Sequence, residues 1–311
     1  MTNPEVIGID LGGTAIKLGR FTQDGTCTQS LTVPTPQPST PEAVLDTMVY
    51  AIGKIAPGVK DIVGIGVGTP GPADAAGRIA KIAINLDGWL DIPIAGWLRS
   101  KTGVPAVVGN DANCAALGEA WLGAGRHYRN SILLTLGTGV GGAIILDGKL
   151  FTGGYGSAGE LGLISFNPDG PPCKSGNNGS LEQYLSVRAI RRLTGKEPKE
   201  MGDLAAAGDV DALKFWRKYG RTLGIGLTSM IYILTPEAAI IGGGISASAK
   251  YFLPEAEREI HKRVMPTSRE GLKLIPAELG NNAGMLGAAR LAWENFGHSF
   301  DPVKTPNSSC Q

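Results

Sequence analysis

Two stretches of the chain, VIGIDLGGTAIKLG at 6–19 and ILLTLGTGVGGAII at 132–145, share one layout: an apolar strand, a glycine-rich turn and a second apolar strand. After each turn the residues stay apolar and β-branched, so each turn closes a hairpin and opens no helix. A dinucleotide-binding turn, which must run from strand into helix, is thereby excluded. No GxxxxGK[ST] phosphate loop occurs anywhere in the chain. Turns of this kind can still hold phosphate, because small residues let backbone N–H groups approach it closely. A third glycine run, IIGGGIS at 240–246, follows another apolar strand. One such turn has many structural explanations; two in matching contexts plus a third run point to polyphosphate held between two halves.

Around these turns strands and helices alternate along the whole chain, which predicts an α/β fold. Helices are expected over 42–56, 91–103, 111–125, 181–193, 209–219, 220–234, 254–264 and 283–296, with strands at 62–68, 106–108 and 238–241. The length, 311 residues, suffices for two cores. A net charge of +1 lacks the basic footprint of a nucleic-acid binder. Cys27, Cys114, Cys173 and Cys310 form no CxxC pair and read as free thiols in a reducing compartment. The N-terminus MTNPEVIGID has no export signal, and apolar runs are interrupted before membrane-spanning length. A cytoplasmic protein with no membrane partner is expected.

Two positions carry candidate chemistry. Asp10 ends the first strand beside the first turn, where a carboxylate can hold Mg²⁺ through water. Asn110 and Asp111 lie where the strand at 106–109 passes into a helix, a place where α/β proteins set ligand groups. Asp111 reads equally well as an ordinary helix cap, and spacing leaves both readings open. Lys17 is a candidate phosphate ligand whose strand parity could also aim it at solvent.

The ordered set GIDLGGTAIKLG, NDANCAALGE, LTLGTGVGGAII and IIGGGIS resembles the motifs of ROK-family sugar kinases, bacterial glucokinases above all, from about Val6 to about Trp293. The resemblance implies an actin-like (ribonuclease H-like) ATPase fold, two α/β domains closing over sugar and ATP. The corresponding division is a smaller domain at 1–118, a larger one at 119–282, the helix 283–296 packing back on the first, and a flexible tail at 298–311. It implies ATP and Mg²⁺ as co-substrates, with Gly12, Gly13, Thr14, Thr138, Gly139, Gly242, Gly243 and Gly244 at the nucleotide and Asp10 at the Mg²⁺. It also implies Asp111 as general base toward the 6-hydroxyl of D-glucose. Asn110, Glu160 and Glu182 would bind sugar hydroxyls, with Asn85 a further sugar contact, and a homodimer is implied as the assembly. Alternatives within the resemblance are another hexose or N-acetylhexosamine as acceptor and polyphosphate as donor. The family's sugar-responsive repressors carry a helix-turn-helix ahead of the first phosphate turn, for which the residues before Gly8 leave no room.

The family's zinc loop, a Glu-x-Gly-His followed by C-x-C-G-x-x-G-C-L-E, corresponds here to ELGL at 160–163 and CKSGNNGSLE at 173–182. Leu163 stands at the histidine position, and Ser175 and Ser180 stand at two cysteine positions. Neutral hydroxyls replace thiolates poorly on Zn²⁺, so no structural zinc is expected, and prolines, packing and serine hydrogen bonds must order the loop. Leu163 also cannot donate the histidine's hydrogen bond to the sugar. Elemental analysis of the purified protein is expected to find zinc far below one ion per chain; a stoichiometric ion would overturn this reading.

Overall fold

A computed structural model describes residues 3–83 and 85–297; the tail at 298–311 lies outside the described residues. In chain order the first elements are β1 (Glu5–Leu11), β2 (Ala15–Phe21), β3 (Cys27–Pro34), α1 (Pro41–Ile55) and β4 (Ile62–Thr69). Next come β5 (Ala80–Ile82), β6 (Leu90–Ile92), α2 (Ile94–Thr102), β7 (Ala106–Asn110), α3 (Asp111–Leu122), β8 (Ser131–Leu136), β9 (Val140–Leu146) and β10 (Lys149–Leu150). The chain continues through α4 (Glu182–Leu185), α5 (Val187–Thr194), α6 (Pro198–Ala206) and α7 (Val210–Leu234). It ends with β11 (Ala238–Gly242), α8 (Ala249–Arg263), β12 (Lys273–Pro276) and α9 (Ala283–Phe296). These elements form two compact units, one from the described residues up to 127, 148–158 and those from 281 on, the other from 128–147 and 159–280.

In the first unit the sheet order is β3-β2-β1-β4-β7. β1 and β2 are the first hairpin, antiparallel with Leu11 opposite Ile16, while β4 and β7 run parallel to β1. Side chains alternate across the sheet. Ile7, Ile9 and Leu11 therefore join one core with Val44, Met48 and Ile52 of α1. Val6 faces the other way, onto Met285, Ala289 and Trp293 of α9. Parity puts Gly8 and Asp10 on this α9 face as well. The helix lies unusually close to β4 and α3: a methyl at Gly66 would overlap the carbonyl oxygen of Ala288, and one at Gly287 would overlap that of Cys114. Arg290, only 1% exposed, is held by Glu294 Oε1 at 2.8 Å and by the carbonyls of Leu117 at 3.3 Å and Gly148 at 2.7 Å. A buried guanidinium needs this full set of acceptors to offset its desolvation.

In the second unit the order is β9-β8-β11-β12, with β8, β11 and β12 parallel and β9 closing the second hairpin. Its core gathers Trp216 and Tyr219 of α7 with Phe252 of α8. The ring centroids of Trp216 and Phe252 lie 5.7 Å apart, and Trp216 Nε1 donates to the Met201 carbonyl at 3.1 Å.

Several expectations shift in detail. The helices expected at 209–219 and 220–234 are one continuous α7, because Gly220 does not break it. A methyl there would strike the carbonyl oxygen of Phe252, so the glycine serves helix-to-helix approach. The helix expected at 181–193 is divided at Ser186, whose hydroxyl oxygen caps α5 by accepting from Ala189 N at 3.3 Å. β3, α6 and β12 arise from stretches with no clear period.

Two glycine substitutions separate packing from propensity. Gly287→Ala is expected to destabilise by at least ~2 kcal/mol through overpacking against α3. Gly53→Ala, in α1 with nothing near its added methyl, should stabilise by about 0.5–1 kcal/mol. Chemical denaturation of both variants checks the pair; equal responses would refute the close-approach account.

Candidate active site

The first unit collects Asp10, the Gly12–Thr14 turn, Asn110 and Asp111 at the carboxyl ends of parallel strands, with Asn85 in the connection between β5 and β6. Asp10 pairs across the sheet with Gly68 of β4, and Thr69 of β4 pairs with Asn110 of β7. One strand lies between Asp10 and Asn110, a separation of about 10 Å. Ligands of open α/β sheets occupy this edge.

Gly12 N–H closes the first turn onto the Ala15 carbonyl at 2.9 Å, leaving Gly13 and Thr14 exposed. Thr35 secures the turn from behind. Its hydroxyl donates to the Gly12 carbonyl at 2.7 Å and its N–H to the Thr14 carbonyl at 3.0 Å. This bracing by Thr35 was missed in the sequence, where the surrounding proline-rich stretch reads chiefly as an approach to α1. Asn85 is exposed, and its backbone oxygen lies 4.0 Å from where a Gly13 Cβ would stand.

Asp10 is mostly buried. Burial pushes its carboxyl above the ordinary range, and Lys17, with Nζ 3.9 Å from Oδ2, opposes that only in part. Lys17 also donates to the Asn281 carbonyl at 3.1 Å, so it shares the Asp10 side of the hairpin. A desolvated carboxylate with one loose counter-charge suits an added cation, as Mg²⁺ sites built from one carboxylate plus substrate phosphates require.

Asn110, not Asp111, caps α3: its Oδ1 accepts from Asn113 N at 3.1 Å. Asn110 Nδ2 donates to the Gly71 carbonyl at 3.1 Å and to Asp111 Oδ1 at 3.0 Å. Asp111 Oδ1 also accepts from Ala112 N at 2.7 Å, and the residue is exposed. Capping and presentation of a carboxylate are thus divided between two neighbours.

The second unit gathers the other residues. Gly137 N–H donates to the Gly139 carbonyl at 2.9 Å, shaping a turn with Thr138 exposed at its tip. Gly242 ends β11. Gly243, at φ 82°, lies so close to Leu136 that a side chain would strike its backbone, which sets the 242–244 run beside this turn. Glu182 Oε2 accepts from Val140 N at 3.0 Å. Burial, then the charge of Glu182, raises the Glu160 carboxyl above its usual value, so these two acids sit close enough to interact.

The stretch at 163–180 is cross-linked by Asn177. Its Nδ2 donates to the Leu163 carbonyl at 3.0 Å and to Ser165 Oγ at 3.1 Å, while Cys173 N–H donates to the Asn177 carbonyl at 2.7 Å. The Phe166 and Tyr184 rings pack in a tilted arrangement, their centroids 5.0 Å apart. Asn177, which sequence reasoning did not single out, joins Ser165 in these links, and a backbone bridge pairs Ser165 with Ser180.

Comparison with known proteins is consistent along the chain. The ROK family profile matches residues 6–295. A glucokinase of Streptomyces coelicolor is 36% identical over 313 residues, covering 93% of this chain and 97% of that one. The crystal structure of a ROK family glucokinase from Streptomyces griseus, in complex with glucose and AMPPNP, superposes with a TM-score of 0.79 at 33% identity, covering 93% of this chain and 99% of the other. The ROK hexokinase from Thermus thermophilus superposes at 0.82 with 34% identity, covering 94% and 98%. With glycine turns on two hairpins, acids at strand ends and these relatives along nearly its full length, the chain belongs to the ROK family and is a hexokinase-type sugar kinase with the actin-like ATPase fold.

Proposed function

We propose that the protein transfers the γ-phosphoryl group of ATP to the 6-hydroxyl of D-glucose, giving glucose 6-phosphate and ADP, with Asp111 as general base. The observation that carries this reading is the division of work at the start of α3. Asn110 takes the cap, and Asp111 is left as an exposed carboxylate at the carboxyl end of β7. The choice of glucose and ATP rests on the glucokinases above, one of them bound to glucose and AMPPNP.

In this mechanism Asp111 accepts the proton of the 6-hydroxyl as the O6–P bond forms and the bond from γ-phosphorus to the bridging oxygen breaks, with ADP leaving. Such a transition state is loose, so positioning and charge stabilisation matter more than base strength. Asn110, Glu160 and Glu182 hold sugar hydroxyls; a carboxylate can accept two such bonds. Gly13, Thr14, Thr138, Gly139 and the 242–244 glycines offer backbone N–H groups to the phosphates. Asp10 is the residue that would hold Mg²⁺, and the ion would supply charge neutralisation for the phosphates. Leu163, where the family has histidine, gives this chain one sugar hydrogen bond fewer and bears on which hexose it prefers.

Two outcomes test these roles. Asp111→Asn is expected to lower kcat at least ~10²-fold with little change in glucose KM, measured as glucose-dependent ADP release; near-normal turnover would refute the base. For Asp10 the native state binds the proton more tightly than the unfolded chain does. Ionisation therefore costs stability as pH rises from the ordinary Asp value of 3.8 through the raised native value, and the cost persists above it. Asp10→Asn should raise Tm at neutral pH, with the gain shrinking below pH 3.8, while turnover falls sharply. A variant that loses Tm at neutral pH would contradict this account.

A further inference from the structure

The turn between β8 and β9 is gripped at both ends by one short segment. At its entry, the Gly137 carbonyl accepts from Val187 N–H at 2.8 Å. At its exit, Val140 N–H donates to Glu182 Oε2 at 3.0 Å. Residues 182–187 comprise α4, the cap Ser186 and the first residue of α5. Glu182 lies so tightly against the turn that a methyl at Gly139 would overlap its Oε2. The segment itself is fixed to the core: Leu185 is fully buried, and its carbonyl accepts from the Tyr219 hydroxyl at 2.6 Å. Ser186 N–H donates back to the Glu182 carbonyl at 3.1 Å, so the two grips belong to one hydrogen-bonded unit.

From this geometry we infer that residues 182–187 are a positioning clamp that couples sugar binding to nucleotide binding within the second unit. The inference rests on the sugar role of Glu182 and the phosphate role of Thr138 and Gly139 proposed above. Glu182 is the shared element. One of its oxygens is already committed to the phosphate turn, and a sugar hydroxyl donating to the carboxylate restricts the side chain that holds Val140 N–H. Val187 N–H keeps the opposite end of the turn in register with that movement. A sugar seated on Glu182 thus orders Thr138 and Gly139 for phosphate before the nucleotide arrives, and the nucleotide, by reciprocity, tightens the sugar. An ordered turn binds phosphate better because less freedom is lost on binding.

Val187 offers a test that leaves Glu182 untouched. It is the first residue of α5, where proline is tolerated, and Ser186 before it sits at φ −81°, ψ 166°, the region a residue preceding proline prefers. Val187→Pro deletes the donor to Gly137; Val187→Ala trims the side chain and keeps the donor. Calorimetric titration of AMPPNP with Mg²⁺, with and without saturating D-glucose, gives the coupling as a ratio of Kd values. In the natural protein glucose is expected to tighten AMPPNP about fivefold or more. Val187→Pro should cut that ratio by about fivefold, the scale of one hydrogen bond, with the Kd for glucose alone unchanged, and Val187→Ala should keep it. If proline disturbs α5, replacing the amide of residue 187 by an ester removes the same N–H without a ring. Full coupling in a folded variant that lacks the donor overturns the clamp. Glucose and AMPPNP that both bind the natural protein but ignore each other overturn it too, leaving the kinase reading intact. Failure of glucose to bind at all sinks the glucose reading and the clamp with it.

Discussion

The first unit depends on how closely α9 can lie against its sheet and α3. No side chain fits between Gly66 and the Ala288 carbonyl, or between Gly287 and that of Cys114. Backbone meets backbone there, and packing at this distance yields discrete, rigid placement. The placement of Asp10 follows from the same contact through strand parity. Gly8 and Asp10 share one face of β1, so the strand that needs a glycine under the helix also carries the acid next to it. Gly284, in the first turn of α9, completes the arrangement: its missing Cβ would stand 3.0 Å from Asp10 Cγ. The helix shields Asp10 from water and leaves room for it.

The second unit solves a related problem with hydrogen bonds. A three-residue turn of Gly137, Thr138 and Gly139 has little side chain with which to hold itself. It is steadied by neighbours that are themselves anchored: Tyr219 of α7 to Leu185, Val187 to Gly137, Glu182 to Val140. In the first unit Thr35 serves the corresponding turn, donating twice to it. Each glycine turn is open on its outer side and braced from within, which keeps N–H groups available at small entropic loss.

Much of this was legible in the chain. Strand–glycine–strand patterning identified both hairpins, and their failure to run into helices excluded the commoner nucleotide loops. The order of motifs, more than any one of them, pointed to the family, and NDAN placed Asp111 at a strand end. What stayed hidden has a physical reason in each case. Gly220 punctuates a local pattern but serves a tertiary contact with α8, which no local window reveals. Thr35 and Val187 act through backbone or hydroxyl bonds to residues 21 to 50 positions away, and neither residue type advertises that. The capping of α3 by Asn110 instead of Asp111 turns on a one-residue difference in where helical geometry begins, finer than sequence patterns resolve.

The candidate acids of the two units occupy different environments, and the difference suits the different work proposed for them. Asp10 and Glu160 are pushed toward the neutral form, Asp10 by burial and Glu160 by burial and then by Glu182. A carboxylate poorly solvated by water gains most when a ligand supplies the missing charge or hydrogen bonds, so such acids suit static holding of a metal's water or a hydroxyl. Asp111 is exposed and bonded to an N–H of its own helix and to Asn110. It gives up little solvation in the fold, and its geometry is set by the helix start. A group that must take a proton in passing needs orientation first. Under the proposed mechanism Asn110 supplies that orientation, which makes the pair, and not the aspartate alone, the unit on which turnover depends.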